Sequence, residues 1–470
     1  MAEPLWTSDE IVAATGGRLA GKPFSATGVS IDTRTIEPGD CFVALVGETF
    51  DGHDFLAAAF EKGAVAALVS RIPDAAPAGL ALVRVADTLQ GLQDAAHAYR
   101  LSLDVKVVAV TGSSGKTSTK EMLAAVLRRS FRVHATQGNL NNHIGVPLTL
   151  LQLSRDDEYA VVEMGMNHRG EIAALAKIAR PDVAVITGVG SAHIENLGSR
   201  DEIAAEKTDL LAALPKGGVA VLNADDALLR AGAGRAPRVV WAGFASGADW
   251  RAENVVVTET GLAFDLFEGT GHAAVALPVF NRVMVSNALL AAAVGGLAEM
   301  PLAEIAAGLG GVKLAGGRME VRRRLAGWIV DDCYNANPES TRAALEALRE
   351  FPAPARRVAV LGSMGELGAH APALHRETGA AVPASGAALL ACVGPHADDL
   401  AAGARDAGFP AAAILCYPAT SQAAAQFPAL LRADDTVLVK GSRFLKLEQV
   451  VAALSVGTDG AGLAPVSSAH

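Results

Sequence analysis

An α/β protein of three consecutive units is the fold class this sequence predicts, and three observations carry the prediction. Short apolar runs alternate with helical stretches along most of the chain, the pattern of parallel sheets covered on both faces. One such run, "VKVVAVTG", leads into the small-residue loop "GSSGKT" and then a helical pattern. After the junction "GGRMEVRRRLAGWIVDDCYNANP" the alternation restarts and reads as a separate doubly wound domain. At 470 residues the chain exceeds what one core holds, so two to four domains are expected.

The first unit, residues 1–102, mixes short pieces: strands at "CFVAL" (41–45) and "AVAALVS" (64–70), and a helix "HDFLAAAFEKG" ended by Gly63. The second, residues 103–318, begins at "VKVVAVTG". It continues through strands at "YAVVEMG" (159–165), "DVAVITGVG" (182–190) and "GVAVLNADD" (218–226). The third, residues 319–456, has strands within "RRVAVLGSMGELG" (356–368), "ALLACVG" (388–394), "AAILCY" (412–417) and "DTVLVKGSRFLKLEQVVAAL" (435–454). The remaining "GTDGAGLAPVSSAH", residues 457–470, reads as a flexible tail.

Composition excludes several function classes. A hydrophobic share of 51% with 48 glycines suits close α/β packing and not a disordered chain. A formal charge of −10 argues against broad nucleic-acid or anionic-membrane binding, and leaves room for local basic pockets. Cys41, Cys333, Cys392 and Cys416 form no CxxC pair and are expected to be buried reduced thiols. The acidic start "MAEPLWTSDE" lacks a signal pattern, and no apolar run reaches the roughly 18 residues that span a bilayer. A cytoplasmic protein without membrane insertion is expected.

The loop Gly112, Ser113, Ser114, Gly115, Lys116, Thr117, continued by Ser118, is a shortened phosphate-binding motif, with Val110 where the longer form has its first glycine. Small residues let successive N–H groups face an anion, and the following helix start adds partial positive charge. Lys116 suits the β and γ phosphate oxygens of ATP, and Thr117 suits Mg²⁺. A strand–turn–helix with an incidental lysine is the plain alternative. Glu163 ends the next strand, where ligands of parallel sheets gather, and is a candidate Mg²⁺ ligand beside the reading of a solvent-facing strand end. His193 lies just past another strand end and is structural or metal-facing. Lys207, taken by composition alone, is one exposed charge on an amphipathic helix.

Taken in order, GxxGKT, "QGNLNNHIGVPLTLL", "EMGMNHRGEI", "HIENLGSRDEIAAEK", "NADD", "GGRMEV", "DDCYNANP", "GSMGELG" and "VKGSR" resemble the Mur ligase family, over about residues 26–454. The resemblance implies a mixed α/β N-terminal domain for a UDP-sugar peptide, a central P-loop ATPase-type domain and a Rossmann-like C-terminal domain. It implies ATP-dependent joining of D-alanyl-D-alanine to UDP-N-acetylmuramoyl-tripeptide through an acyl phosphate, in cytoplasmic peptidoglycan precursor synthesis. The enzyme is expected to act as a monomer, with no nucleic-acid partner.

The resemblance assigns roles residue by residue. Ser30, Asp32, Thr33 and Arg34 match the UDP-binding segment, where a plain Asp32–Arg34 turn is the alternative. Asn142 and Asn287 match nucleotide contacts, Arg318 an arginine near the ATP phosphates, and Asp332 an acid for ribose hydroxyls. Thr117, Glu163 and His193 match the Mg²⁺ site, together with Lys207, which several relatives carbamylate. Lys116, Lys207, His193 and Arg318 form the expected catalytic set. Asn335 and Asn337 position the incoming peptide or the hinge. Glu366 suits a substrate ammonium and Arg443 a carboxylate, with loop capping as the alternative for both. One departure is Val283–Met284, where relatives often carry His-Asn, three residues before Asn287. A folate-type glutamate ligase and a nucleotide switch that joins nothing are the competing readings, and the UDP-type segment argues against the first.

Overall fold

Strands that are apolar end to end need cover on both faces, and each of the three larger sheets meets that need with helices. A computed structural model describes residues 4–353 and 355–455; the tail expected at 457–470 lies outside the described residues. In the first unit the strand order is Arg18–Ala20, Ala81–Arg84, Ala66–Val69, Asp40–Val43, Gly28–Ser30. All neighbours are parallel except the edge strand Arg18–Ala20. The expected helix, which follows strand Asp40–Val43, is split, with a 3-10 turn at Gly52–Phe55 and an α-helix at Leu56–Glu61.

Helix Thr88–Leu101, capped by Asp87, joins this unit to the next. Near its end the buried Arg100 donates to the carbonyls of Ala179 (3.1 Å) and Arg180 (3.3 Å) and to Asp182 (3.2 Å). A guanidinium buried this deeply is stable only because those oxygens replace its water.

The central sheet has nine strands. Six parallel ones run from Val133–Ala135 through Tyr159–Glu163, Lys106–Thr111, Val183–Ile186 and Val219–Asn223 to Val239–Ala242. The chain places strands first on one side of Lys106–Thr111 and then on the other, so the loop at its carboxyl end opens into a crevice. The sheet is completed by an antiparallel meander, Trp250–Thr258, Gly261–Glu268 and Gly271–Leu277, that the sequence reading did not anticipate. A register shift between Glu253 and Val256 breaks the alternation by which such strands are recognised.

The C-terminal sheet runs Glu320–Arg324, Gly327–Asp332, Thr436–Lys440, Arg357–Gly362, Ala387–Val393, Ile414–Tyr417, antiparallel only in its first pair. The expectation of four buried thiols needs one correction: Cys41, Cys333 and Cys392 are buried, but Cys416 is exposed because it lies on the edge strand.

Two helices of this unit, Ala371–Ala380 and Ala397–Asp406, cross at glycines. A methyl on Gly379 would sit 2.1 Å from the Leu400 carbonyl oxygen, and one on Gly403 would sit 1.9 Å from that of Arg376. Gly403→Ala is therefore expected to destabilise the protein by about 1–3 kcal/mol through overpacking. The check is the urea midpoint, and an unchanged midpoint would show that the two backbones separate freely.

Candidate active site

The loop after strand Lys106–Thr111 is held by the loop beside it. Ser113 N–H donates to the Gly188 carbonyl (2.9 Å), Ser113 Oγ to that of Gly190 (3.4 Å), and Thr187 Oγ1 to that of Ser114. Gly112 (φ 151°) and Gly115 (φ 83°) take backbone conformations that side chains disfavour. A Cβ on Gly112 would lie 1.8 Å from Thr187 Oγ1, and one on Gly115 would lie 2.7 Å from Asn287 Oδ1. Helix Lys116–Leu127 starts without a side-chain cap, so its first N–H groups are available to an anion. Lys116 Nζ reaches back to the Gly112 carbonyl (2.7 Å). Desolvation, helped by Arg318 and opposed by Glu163, lowers its pKa. Thr117 and Ser118 are buried at the helix start.

Glu163 ends strand Tyr159–Glu163 and is 2% exposed, which removes the reading of a solvent-facing strand end. Its Oε1 accepts from Asn141 Nδ2 (2.8 Å), whereas Oε2 is buried with no partner. Asn141 was not singled out in the sequence. Its neighbour Asn142 was, yet Asn142 is exposed and its Oδ1 caps a turn, accepting from Ile144 (3.1 Å) and Gly145 (2.8 Å) N–H. Asn287 is buried on helix Val283–Leu297, where Nδ2 lies 3.5 Å from Met284 Sδ.

Lys207 corrects the composition-based reading outright. It is 1% exposed and is among the largest fully buried side chains. Burial, and then the Lys116 charge, push its pKa well below the ordinary lysine value against the pull of Glu206. His193 sits at left-handed φ 66°, with Nδ1 2.7 Å from Glu366 Oε2. That contact, more than any other, holds the Glu366 carboxyl below its ordinary pKa. Among the described residues no three His, Cys, Asp or Glu side chains converge on a metal site. The buried, unpartnered Glu163 oxygen nevertheless suits a hard cation that prefers oxygen.

The C-terminal unit closes over the loop through the start of helix Pro338–Glu350. Asn337 caps that helix, accepting from Ser340 N–H (2.8 Å), and its Nδ2 donates to Ser114 Oγ (2.8 Å) and the Ser113 carbonyl (3.4 Å). Glu339 Oε1 accepts from Ser191 N–H (3.0 Å) and Oγ (2.8 Å). Glu339 was missed, although "NANPES" spells a helix start with proline in the first turn. Arg318 stacks 4.0 Å from the Tyr334 ring centre; its Nε is buried and unpartnered, and it has no carboxylate pair among the described residues.

Asp332 is already engaged: Lys440 Nζ donates to it (2.6 Å) and to the carbonyl of the exposed Asn335 (3.1 Å). Burial raises the Asp332 pKa, with Lys440 opposing. Arg443 pairs with Glu448 (3.1 Å) and lies 5.8 Å from the Tyr334 ring. In the first unit Ser30, Asp32, Thr33 and Arg34 form one turn. Ser30 Oγ donates to the Asp32 carbonyl (2.9 Å), and Arg34 Nη2 to Asp32 Oδ2 (2.6 Å). Arg34 holds the Asp32 carboxyl down to about 2.

Gly112→Ala drives a methyl into Thr187, so affinity for a non-hydrolysable ATP analogue is expected to fall by about tenfold or more, roughly 1.4 kcal/mol. Calorimetric titration is the check, and unchanged affinity would remove this loop from the nucleotide site.

Three family segments match in chain order. They are the Mur ligase family catalytic domain at residues 25–100, the Mur ligase middle domain at 110–295, and the Mur ligase glutamate ligase domain at 317–443. The chain is 39% identical over 457 residues, covering 95% of itself and 98% of the other protein, to the UDP-N-acetylmuramoyl-tripeptide–D-alanyl-D-alanine ligase of Escherichia coli K12. A crystal structure of MurF from Acinetobacter baumannii superposes with a TM-score of 0.87 at 32% identity, covering 97% of this chain and 99% of that one. A MurF ligase from Thermotoga maritima in complex with ADP superposes at 0.81 and 30% identity, covering 91% and 97%. With a phosphate loop shared between two units, and likeness of this extent along almost its whole length, the chain belongs to the Mur ligase family.

Proposed function

We propose that this enzyme joins D-alanyl-D-alanine to UDP-N-acetylmuramoyl-tripeptide at the expense of ATP, through an acyl phosphate. The observation that carries the reading is a pair of cations, Lys116 and Arg318, with no carboxylate partner among the described residues. Lys116 opens the helix after the phosphate loop, and Arg318, at the junction with the C-terminal unit, is near enough for its charge to act on Lys116. The relatives' activity and the ADP complex of one of them support the same reading.

In the proposed reaction a carboxylate oxygen of the tripeptide attacks the γ-phosphorus of ATP, and the bond to ADP breaks. The amine of the dipeptide then attacks the acyl carbon, phosphate leaves, and an amide remains. Lys116, Arg318 and the loop N–H groups offset charge between two anions that otherwise repel. Thr117, Glu163, His193 and a carbamylated Lys207 would hold Mg²⁺, which supplies further positive charge to the phosphate oxygens when bound. Carbamylation requires a neutral amine, which the depressed pKa of Lys207 favours.

On this reading residues 1–102 hold the UDP end through Ser30, Asp32, Thr33 and Arg34. Residues 103–318 hold the nucleotide through residues 112–118 with Asn142 and Asn287, and residues 319–456 supply Asp332 for the ribose. Asn335 and Asn337 order the junction, while Glu366 and Arg443 meet the ammonium and carboxylate of the dipeptide. The docked C-terminal unit keeps water from the acyl phosphate. The enzyme acts as a monomer in the cytoplasm, where ATP is available; among the described residues no helix is long and apolar enough to cross a membrane.

Mass spectrometry is expected to find the amide product only when ATP, UDP-muramoyl tripeptide and dipeptide are all present. Heavy-oxygen label in the tripeptide carboxylate should appear in released phosphate, and phosphate release that needs neither acceptor nor donor would leave a bare ATPase. Lys207→Ala is expected to lower kcat by about a hundredfold or more, as lost charge stabilisation does, with partial rescue by short carboxylic acids. Full activity in that variant would take Lys207 out of the site.

A further inference from the structure

His375, on helix Ala371–Ala380, is fully buried and has no part in the chemistry above. Its Nδ1 lies 2.6 Å from the Ala371 carbonyl oxygen, and its Nε2 accepts the Met364 N–H at 2.7 Å. A carbonyl only accepts and an amide N–H only donates, so the hydrogen is on Nδ1 and Nε2 is a bare lone pair. Both bonds exist together only in the neutral ring. The titratable groups facing it are His396, stacked on the ring at 4.4 Å and 23°, and Asp399, 3.1 Å from His396 Nδ1. Burial brings the pKa of His375 down to about 4.

Met364 opens a loop, residues 364–368, that leaves the C-terminal sheet and reaches the central unit. Gly365 N–H donates to Ser442 Oγ (2.9 Å), the Glu366 carbonyl accepts Glu195 N–H (3.3 Å), and Glu366 Oε2 meets His193. Glu366 itself sits at φ 61°, a conformation that a glutamate keeps only when its surroundings impose it. The loop therefore needs a firm anchor at its start.

We propose that neutral His375 is a positioning residue: by accepting the Met364 N–H it fixes the 364–368 loop so that Glu366 meets His193 across the two units. His375 touches no substrate and acts through Glu366. The ligase reading enters only through the activity assay.

Nitrogen-labelled histidine NMR of the full chain tests the anchor without turnover. At about pH 6, just below the ordinary imidazole range, one imidazole assigned by its loss in His375→Gln is expected to be neutral, with hydrogen on Nδ1. A protonated His375, or hydrogen on Nε2, would overturn the proposal. His375→Leu removes the acceptor and is expected to lower kcat/KM about tenfold or more, as a lost buried hydrogen bond does. His375→Gln keeps an oxygen acceptor and is expected to stay within about threefold, a difference too small for a lost bond.

In a Glu366→Ala background His375→Leu should cost less than about twofold further, because residues acting as one unit are not additive. Additive losses, or a Gln variant as impaired as the Leu variant, would overturn the proposal. Should the Leu variant fail to fold, the Gln variant and the NMR result still decide. Absence of ligation by the wild-type enzyme would sink the ligase reading and leave the tautomer measurement standing.

Discussion

Two ammonium groups buried near each other set the terms for the site. Lys207 and Lys116 each have a depressed pKa, and each is pushed the same way by burial and by a neighbouring cation. Burying unpaired charge costs several kcal/mol per group unless something neutralises it. A triphosphate supplies the missing charge at the loop, and carbamylation would turn one ammonium into an anion. The cleft is thus built around partners it does not itself contain, and packing elsewhere holds that unfavourable arrangement together.

The C-terminal unit reaches this cleft through the 364–368 loop and through one helix that is anchored at both ends. The first turn of that helix places Asn337 and Glu339 on the loops beside the phosphate site. At its far end Phe351 packs on Phe280 at 4.9 Å, and Glu350 pairs with Arg282 at 2.8 Å. Hydrogen bonds contribute about 0.5–1.5 kcal/mol each when neutral and about 1.5–3 when one group is charged, so the grip is specific without being permanent. That combination suits a site which must admit long substrates and then exclude water.

Much of the fold was legible because its strands are buried on both sides and therefore uniformly apolar. The phosphate loop was legible because backbone geometry at Gly112 and Gly115 leaves few alternatives. Features set by distant neighbours were not. Lys207 lies in a charged helical stretch whose local pattern says surface, yet it is buried in the folded chain. Asp332 and Lys440 meet across 108 positions. Asn141 and Asn142 are adjacent, and a single peptide's orientation decides which one faces Glu163. His375 reads as one more helical histidine until its two hydrogen bonds are seen.

The bracket made by Arg100 has a consequence for what the enzyme can accept. Its guanidinium grips two main-chain oxygens and a carboxylate of the neighbouring unit, which ties the first two units into one body at this point. On the proposed reading one part of that body grasps the nucleotide head of a long donor while the other holds the reactive tail. The span between them then works as a gauge. A donor one residue too short or too long would present its carboxyl several ångströms off line, where an error of about 1 Å can already slow a reaction a hundredfold.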